Sequence, residues 1–482
     1  MGSRKATGIV LAVGIGTFMS ALDSGVVNLA MPMIRDDFHV TLSEVEWIVT
    51  AYLLVVSSLL LTYGRIADMY GQKRVYQTGF VLFVVGSLLC GLSTGLGMLI
   101  AARCVQALGA GMLFATGPAI ITNAVPPERR GKALSTTAVA VALGLSAGPV
   151  IGGTLTTLLG WQSIFYINLP VGALGIFLVQ RNIPRDEPRS REHFDVAGSA
   201  LVLLALLMIL MPLSLSGDYD LSNGLLFGII GGGLAVGVFF VWFESRRKSP
   251  MLDVRLFRRR VFTASSVAAM FIYMAEFMMV FLAPFYLQSL RGYSALMSGL
   301  IYMPLPIATM CVAPISGALS DRLDSRYISS SGAVIMGAGL FMMSFIAADT
   351  PLGYVIASLA VTGFGFGLFQ TPNNSAIMGS VPAENRGTAS GTLATMRNIG
   401  MAVGIALSAA LFSASQEAAL NVRTAQGLAG DALSSAAFAD ALAVTFRVAV
   451  GVALIATVVS LVRGRVQPGR EAEREKAEAA RV

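Results

Sequence analysis

Along the 482 residues, stretches of about twenty apolar side chains recur from one end to the other, separated by short charged or Gly/Pro-rich breaks, and few folds accommodate that spacing. Crossing roughly 30 Å of hydrocarbon takes about 20 apolar residues in a helix. Hydrocarbon offers the backbone no water, so each crossing segment must satisfy its own amides, as a helix does. Fourteen stretches meet that length, the first at residues 8–31 and the last two at 388–412 and 440–461. With 55% of residues hydrophobic and 13% charged, an all-α integral membrane protein of fourteen transmembrane helices is expected. The first stretch is too long for a cleavable signal and is expected to remain as helix 1. The outer connection at 413–439 is expected to fold as a short helical cap.

A formal charge of +7 raises the question of a nucleic-acid partner, and the positions of the bases answer it. All but six of the 34 Lys and Arg fall in the termini and one alternate set of loops. Arg35, Arg291 and Arg423 fall in the other set; Arg103, Arg397 and Arg447 fall within spans. That asymmetry is the positive-inside pattern, so the bilayer and not a nucleic acid is the expected partner, with both termini cytoplasmic. Cys90, Cys104 and Cys311 all lie in spans, where a small buried hydrophobe is the ordinary role.

The chain also resembles itself. An offset of 256 aligns Val125-Pro126-Pro127-Glu128-Arg129-Arg130-Gly131 with Val381-Pro382-Ala383-Glu384-Asn385-Arg386-Gly387, and Gly144 and Gly148 with Gly400 and Gly404. An offset of 253 aligns Gly64 and Asp68 with Gly317 and Asp321, and Asp23 with Glu276. Two six-helix halves are expected, at 1–182 and 258–465. Between them, residues 183–257 form an inserted transmembrane hairpin with its linkers, and 466–482 is a charged tail. Both halves begin on the same side, so they are parallel repeats about an axis normal to the membrane.

Charged groups inside such helices are costly, about 2.5–3.5 kcal/mol on insertion scales, and usually face a cavity or a partner. Asp23 and Glu276 occupy equivalent places in the first helix of each half, while Arg103 and Arg397 lie in helices 4 and 13. A carboxylate whose proton affinity responds to burial and to a nearby guanidinium can exchange a proton for a cation. Asp23, Glu276 and Arg103 are therefore the proton-coupling candidates; a pair that merely holds helices together is the plain alternative. Asn28 and Gln106 lie near these charges and are expected to line the substrate cavity, with helix-to-helix hydrogen bonding as the plain alternative. "MFIYMAEFMMVFLAPFY" surrounds Glu276 with soft and aromatic groups, among them Tyr273, Met274 and Phe277. With Arg397 these would line a pliable cavity.

Several short motifs carry a resemblance. Gly64-x-x-x-Asp68-x-x-Gly71-x-Lys73-Arg74 resembles the loop signature of the major facilitator superfamily, and Arg103-x-x-Gln106-x-x-Gly109-Ala110-Gly111 resembles its helix-4 motif. Gly144-x-x-x-Gly148-Pro149-x-x-Gly152-Gly153 resembles the helix-5 motif of its antiporters. "LDSGVVNLAMP", "GWQSIFYINLPVG" and "DVRLFRRRVF" are similar to segments of its fourteen-helix drug:proton antiporters. The resemblance implies a major facilitator fold, a gate built from Gly64, Asp68, Gly71 and Arg74, and echoed by Asp321 and Arg322. It also implies proton transfer at Arg103 and a Gly-Pro stretch at the interface of the halves. Gln162 stands where that family commonly has an arginine, and the segment Gly317 to Arg326 lacks the later Gly and Lys of the loop signature.

Other chemistry finds no support. "GLSTG" at 91–95 has the form of a hydrolase elbow, but it ends a membrane helix in a chain whose only histidines are His39 and His193. There is no phosphate-binding G-x-x-x-x-G-K-[ST], and no Cys/His cluster has metal-ligand spacing. The expectation is a monomeric secondary transporter of the bacterial cytoplasmic membrane. It would have no cofactor beyond the coupling proton and would export lipophilic, often cationic, drugs or toxic small molecules. A lipid or lipid-linked glycan flippase and a proton-coupled uptake symporter are the alternatives.

Overall fold

A computed structural model describes residues 3–124, 130–184, 196–215, 223–247, 254–320, 323–381 and 386–464. Among them there is no strand. The first half is built from α1 (Ser3–Phe38), α2 (Leu42–Val45), α3 (Trp47–Tyr70), α4 (Gln72–Gly91), α5 (Leu96–Ala124), α6 (Arg130–Leu159), α7 (Ser163–Tyr166) and α8 (Asn168–Asn182). Two apolar helices follow, α9 (Val196–Leu215) and α10 (Asn223–Ser245). The second half holds α11 (Arg260–Phe285), α12 (Ala295–Tyr302), α13 (Pro304–Ser320), α14 (Ser325–Met343), α15 (Leu352–Gly379), α16 (Arg386–Ala425) and α17 (Gly430–Val462). Eleven helical stretches among the described residues are long and apolar enough to cross a bilayer, so this is a multi-pass membrane protein.

Local chemistry sets the ends of several elements. Thr41 caps α2: its Oγ1 accepts from the Glu44 amide at 3.2 Å, and the Glu44 carboxylate accepts from the Thr41 amide at 2.8 Å. Ser294 and Asp324 cap α12 and α14 in the same manner. Gly71, with φ 93°, makes the sharp break between α3 and α4. Prolines 32, 118, 149, 212, 284, 314 and 372 sit inside helices, as membrane helices tolerate when neighbours take up the freed carbonyls.

Packing repeats between the halves. The pair α1 and α6 corresponds to α11 and α16, α4 and α5 to α14 and α15, and α3 and α5 to α13 and α15. Glycine faces explain the first of these. A Cβ on Gly144 would meet the Phe18 carbonyl at 2.8 Å and one on Gly148 the Gly25 Cα at 3.0 Å, while Gly400 and Gly404 leave room for the carbonyls of Met270 and Met274. The two halves then meet where α3 packs on α16 and α6 packs on α12. The α9–α10 pair lies against α3 and α16 through α9, with Thr62 and Ser199 hydroxyls 2.6 Å apart, and α10 leaves Phe227, Leu234, Val238 and Trp242 exposed.

One expectation is corrected in part. Residues 413–439 are mostly helical, as expected, but as extensions of the flanking helices and not as a separate cap: α16 continues to Ala425 and α17 begins at Gly430, leaving a connection of a few residues. The run "SASQEAALNVRTA" is rich in strong helix formers, so the helix carries on past its apolar portion. Arg423 then pairs with Asp440 through two hydrogen bonds of 2.8 and 3.0 Å across the hairpin.

Candidate functional site

In the first half, α5 and α8 deliver side chains to Asp23 on α1, and α3 and α4 complete the cluster around them. Arg103 on α5 donates from Nη1 to Oδ2 at 2.6 Å, while Gln106 on α5 and Asn168 on α8 donate to Oδ1 at 2.8 and 2.9 Å. Ser87 on α4 accepts from Gln106 Nε2 at 2.8 Å. The guanidinium also donates from Nε to the Ile48 carbonyl at 3.2 Å and lies 4.2 Å above the Tyr52 ring. Asp23 is 0% exposed and Arg103 is 1% exposed, so this is a fully desolvated charge pair whose cost is offset by a nearly complete shell of hydrogen bonds.

The second half places Glu276 differently. It is 7% exposed on α11, and its Oε2 accepts no hydrogen bond. Arg397 on α16 puts its guanidinium carbon 5.2 Å above the Tyr273 ring, and its Nε donates to nothing. Gln370 on α15 donates to the Tyr273 hydroxyl at 2.7 Å, and Phe366 meets the Tyr273 ring edge-on at 5.2 Å. Among the described residues no ion pair joins Glu276 to Arg397, although both charges lie within electrostatic reach of Tyr273. Met274 and Phe277 are half-buried beside them.

The two acids aligned by the repeat are thus unlike. Arg103 and Asn168 enclose Asp23 and Gln106 with hydrogen bonds, whereas Glu276 Oε2 has no partner. The partner arginines come from non-equivalent helices, the fourth of the first half and the fifth of the second. Asn28 donates to the Ser24 carbonyl at 3.1 Å and keeps a buried Oδ1 without a donor. Ser87, Tyr52, Asn168, Gln370 and Phe366 were not singled out by the sequence. Asn168, a polar residue near the start of an apolar run, carried a readable signal.

At the end of the bundle where α1 stops, hydrogen bonds tie the halves together. Gln288 Nε2 donates to the Leu29 carbonyl at 2.8 Å, Arg35 to Ser289 Oγ at 3.3 Å, and the Leu296 amide to Thr157 Oγ1 at 3.3 Å. The Gly-Pro stretch reaches the same seam. Gly152 packs on Val26, Gly153 on Ala295 and Leu296, and Gly299 fits against the Pro149 carbonyl with no room for a Cβ. Gly71 lies at the α3–α4 turn and Arg74 is exposed. The surroundings of Gly64, the side chain of Asp68, and residues Asp321 and Arg322 lie outside what the structure describes.

A model of the Major Facilitator Superfamily matches residues 13–405. A riboflavin transporter, RibZ of Clostridioides difficile, is 36% identical over 410 residues, covering 84% of this chain and 88% of the relative. Multidrug resistance protein Stp of Mycobacterium tuberculosis is 32% identical over 407 residues, covering 84% and 75%. Among solved structures, a bacterial homolog to the human lysosomal transporter Spinster, inward-facing and unoccupied, shares the fold with a TM-score of 0.67 at 15% identity, covering 97% of this chain and 100% of that one. With the helical architecture, its repeated packing and these matches taken together, the chain belongs to the major facilitator superfamily and is a secondary transporter, not an enzyme.

Proposed function

We propose that this chain is a fourteen-helix proton-coupled antiporter that exports lipophilic, often cationic, small molecules across a bacterial cytoplasmic membrane, with both termini cytoplasmic and α9–α10 as an inserted transmembrane hairpin. The observation that carries the reading is the contrast between the two acids. Asp23 already holds a guanidinium and two amides, whereas Glu276 Oε2 has no partner. A buried, unpaired carboxyl is the group that gains most from a proton when the site is empty and from a cation when it is filled. In this reading Glu276 carries the exchange, while the Asp23–Arg103 pair fixes the first-half bundle. Alternating access follows from rocking of the halves about the site. The seam at Gly153, Gly299 and Gln288 is then the outer closure, and the cavity opens to the cytoplasm.

A second reading, transport of a flavin, has one specific support, the 36% identity to a riboflavin transporter. Reconstitution separates the two. In proteoliposomes with an imposed pH gradient we expect ethidium flux driven by the gradient in the wild type and abolished in Glu276→Gln, with riboflavin in place of ethidium as the competing probe. Undiminished gradient-driven flux in Glu276→Gln overturns the role given to that residue; flux of riboflavin alone favours the flavin reading.

A further inference from the structure

The charges around Tyr273 are arranged for a ligand that carries charge of both signs. Glu276 and Tyr273 are three residues apart on α11, so they share a face about one helical turn from each other. Arg397 covers the Tyr273 ring from α16. In the other half the acid and the guanidinium close into a pair, Asp23 with Arg103 at 2.6 Å. Here no ion pair forms and each keeps a buried atom without a partner: Oε2 on Glu276 can accept, and Nε on Arg397 can donate. α16 is fixed against α11 by Gly400 and Gly404, which sit on the Met270 and Met274 carbonyls, and the Tyr273 ring is pinned by Gln370 and Phe366.

We infer that the ligand of this site is an amphoteric aromatic compound. Its cationic amine would meet Glu276 on α11 and its carboxylate would meet Arg397 on α16, with its ring against Tyr273, Phe277 and Phe366. A simple lipophilic cation would satisfy Glu276 but leave the Arg397 Nε donor unmet, as it is in the ligand-free structure, and so forgo the hydrogen bond a carboxylate would add. This rests on the reading of the Glu276 region as the transport site and narrows its substrate class.

Equilibrium binding to the full-length protein in nanodiscs, at one pH and with no gradient, tests the inference apart from proton coupling. The probes are three forms of one fluorescent molecule: Nα-dansyl-lysine, which is amphoteric; its methyl ester, a monocation; and its Nε-acetyl derivative, a monoanion. We expect the amphoteric form to bind at least about tenfold more tightly than either of the others. Glu276→Gln should remove the advantage conferred by the amine, and Arg397→Gln the advantage conferred by the carboxylate. Equal binding of the monocation and the amphoteric form by the wild type, no measurable binding of the amphoteric form, or equal weakening of all three probes by variants that keep the wild-type size-exclusion profile overturns the inference. A variant whose profile shows misfolding is set aside, and the three-probe comparison on the wild type then decides. A protein that shows the preference but no gradient-driven flux would refute the antiport reading while leaving this one standing.

Discussion

At the residue scale, two acids in equivalent helices have come to opposite situations. Asp23 is one member of a polar knot in which removing a partner strands another buried charge. Asp23→Asn is therefore expected to destabilise the protein by about 3–5 kcal/mol, since it leaves Arg103 desolvated and unpaired. Glu276→Gln breaks no hydrogen bond and is expected to change stability by less than about 1 kcal/mol in either direction. Thermal unfolding of both variants in the same detergent, followed by tryptophan fluorescence, checks the contrast; equal losses would show that the two acids do equal structural work. The sequence made both acids conspicuous because ionisable groups in apolar spans are rare. It could not tell them apart, since what distinguishes them is which side chains of α5, α8 and α16 arrive beside each.

At the scale of elements, glycines decide how closely the helices approach. Gly71 links α3 and α4 at φ 93° and ψ 134°, a conformation that side chains other than glycine's rarely adopt. Gly71→Ala should cost about 1–3 kcal/mol of strain, read as a lowered unfolding midpoint, and an unchanged midpoint would mean the turn relaxes freely. The small residues of the Gly144 to Gly153 stretch were legible as a packing surface. Their division of labour was not: Gly144, Gly148 and Gly152 seat α6 on α1, while Gly153 faces the other half. One face of a helix can be read from spacing, but what lies against it cannot. The extension of α16 and α17 past the apolar portions escaped a hydropathy reading for a related reason, because the added turns are built from polar helix formers.

For the whole molecule, the seam between the halves is the part that opens in the proposed alternating-access cycle. Gly299 fits against the Pro149 carbonyl without space for a side chain, so Gly299→Val is expected to wedge this end apart and shift the population toward the state open on that side. Spin labels at positions 36 and 297, one on each half, should report a longer distance in the variant than in the wild type by double electron–electron resonance. An unchanged distance distribution would show that the seam yields elsewhere. The sequence by itself determined that this is a helical membrane protein built from two related halves, because hydrocarbon imposes segment length and the repeat survives as aligned residues. Only the tertiary structure decided which acid is spent and which is free. Hydrogen-bond satisfaction depends on side chains brought from helices dozens of residues apart, and two segments aligned by a repeat can carry a carboxylate into a closed shell in one half and an open one in the other.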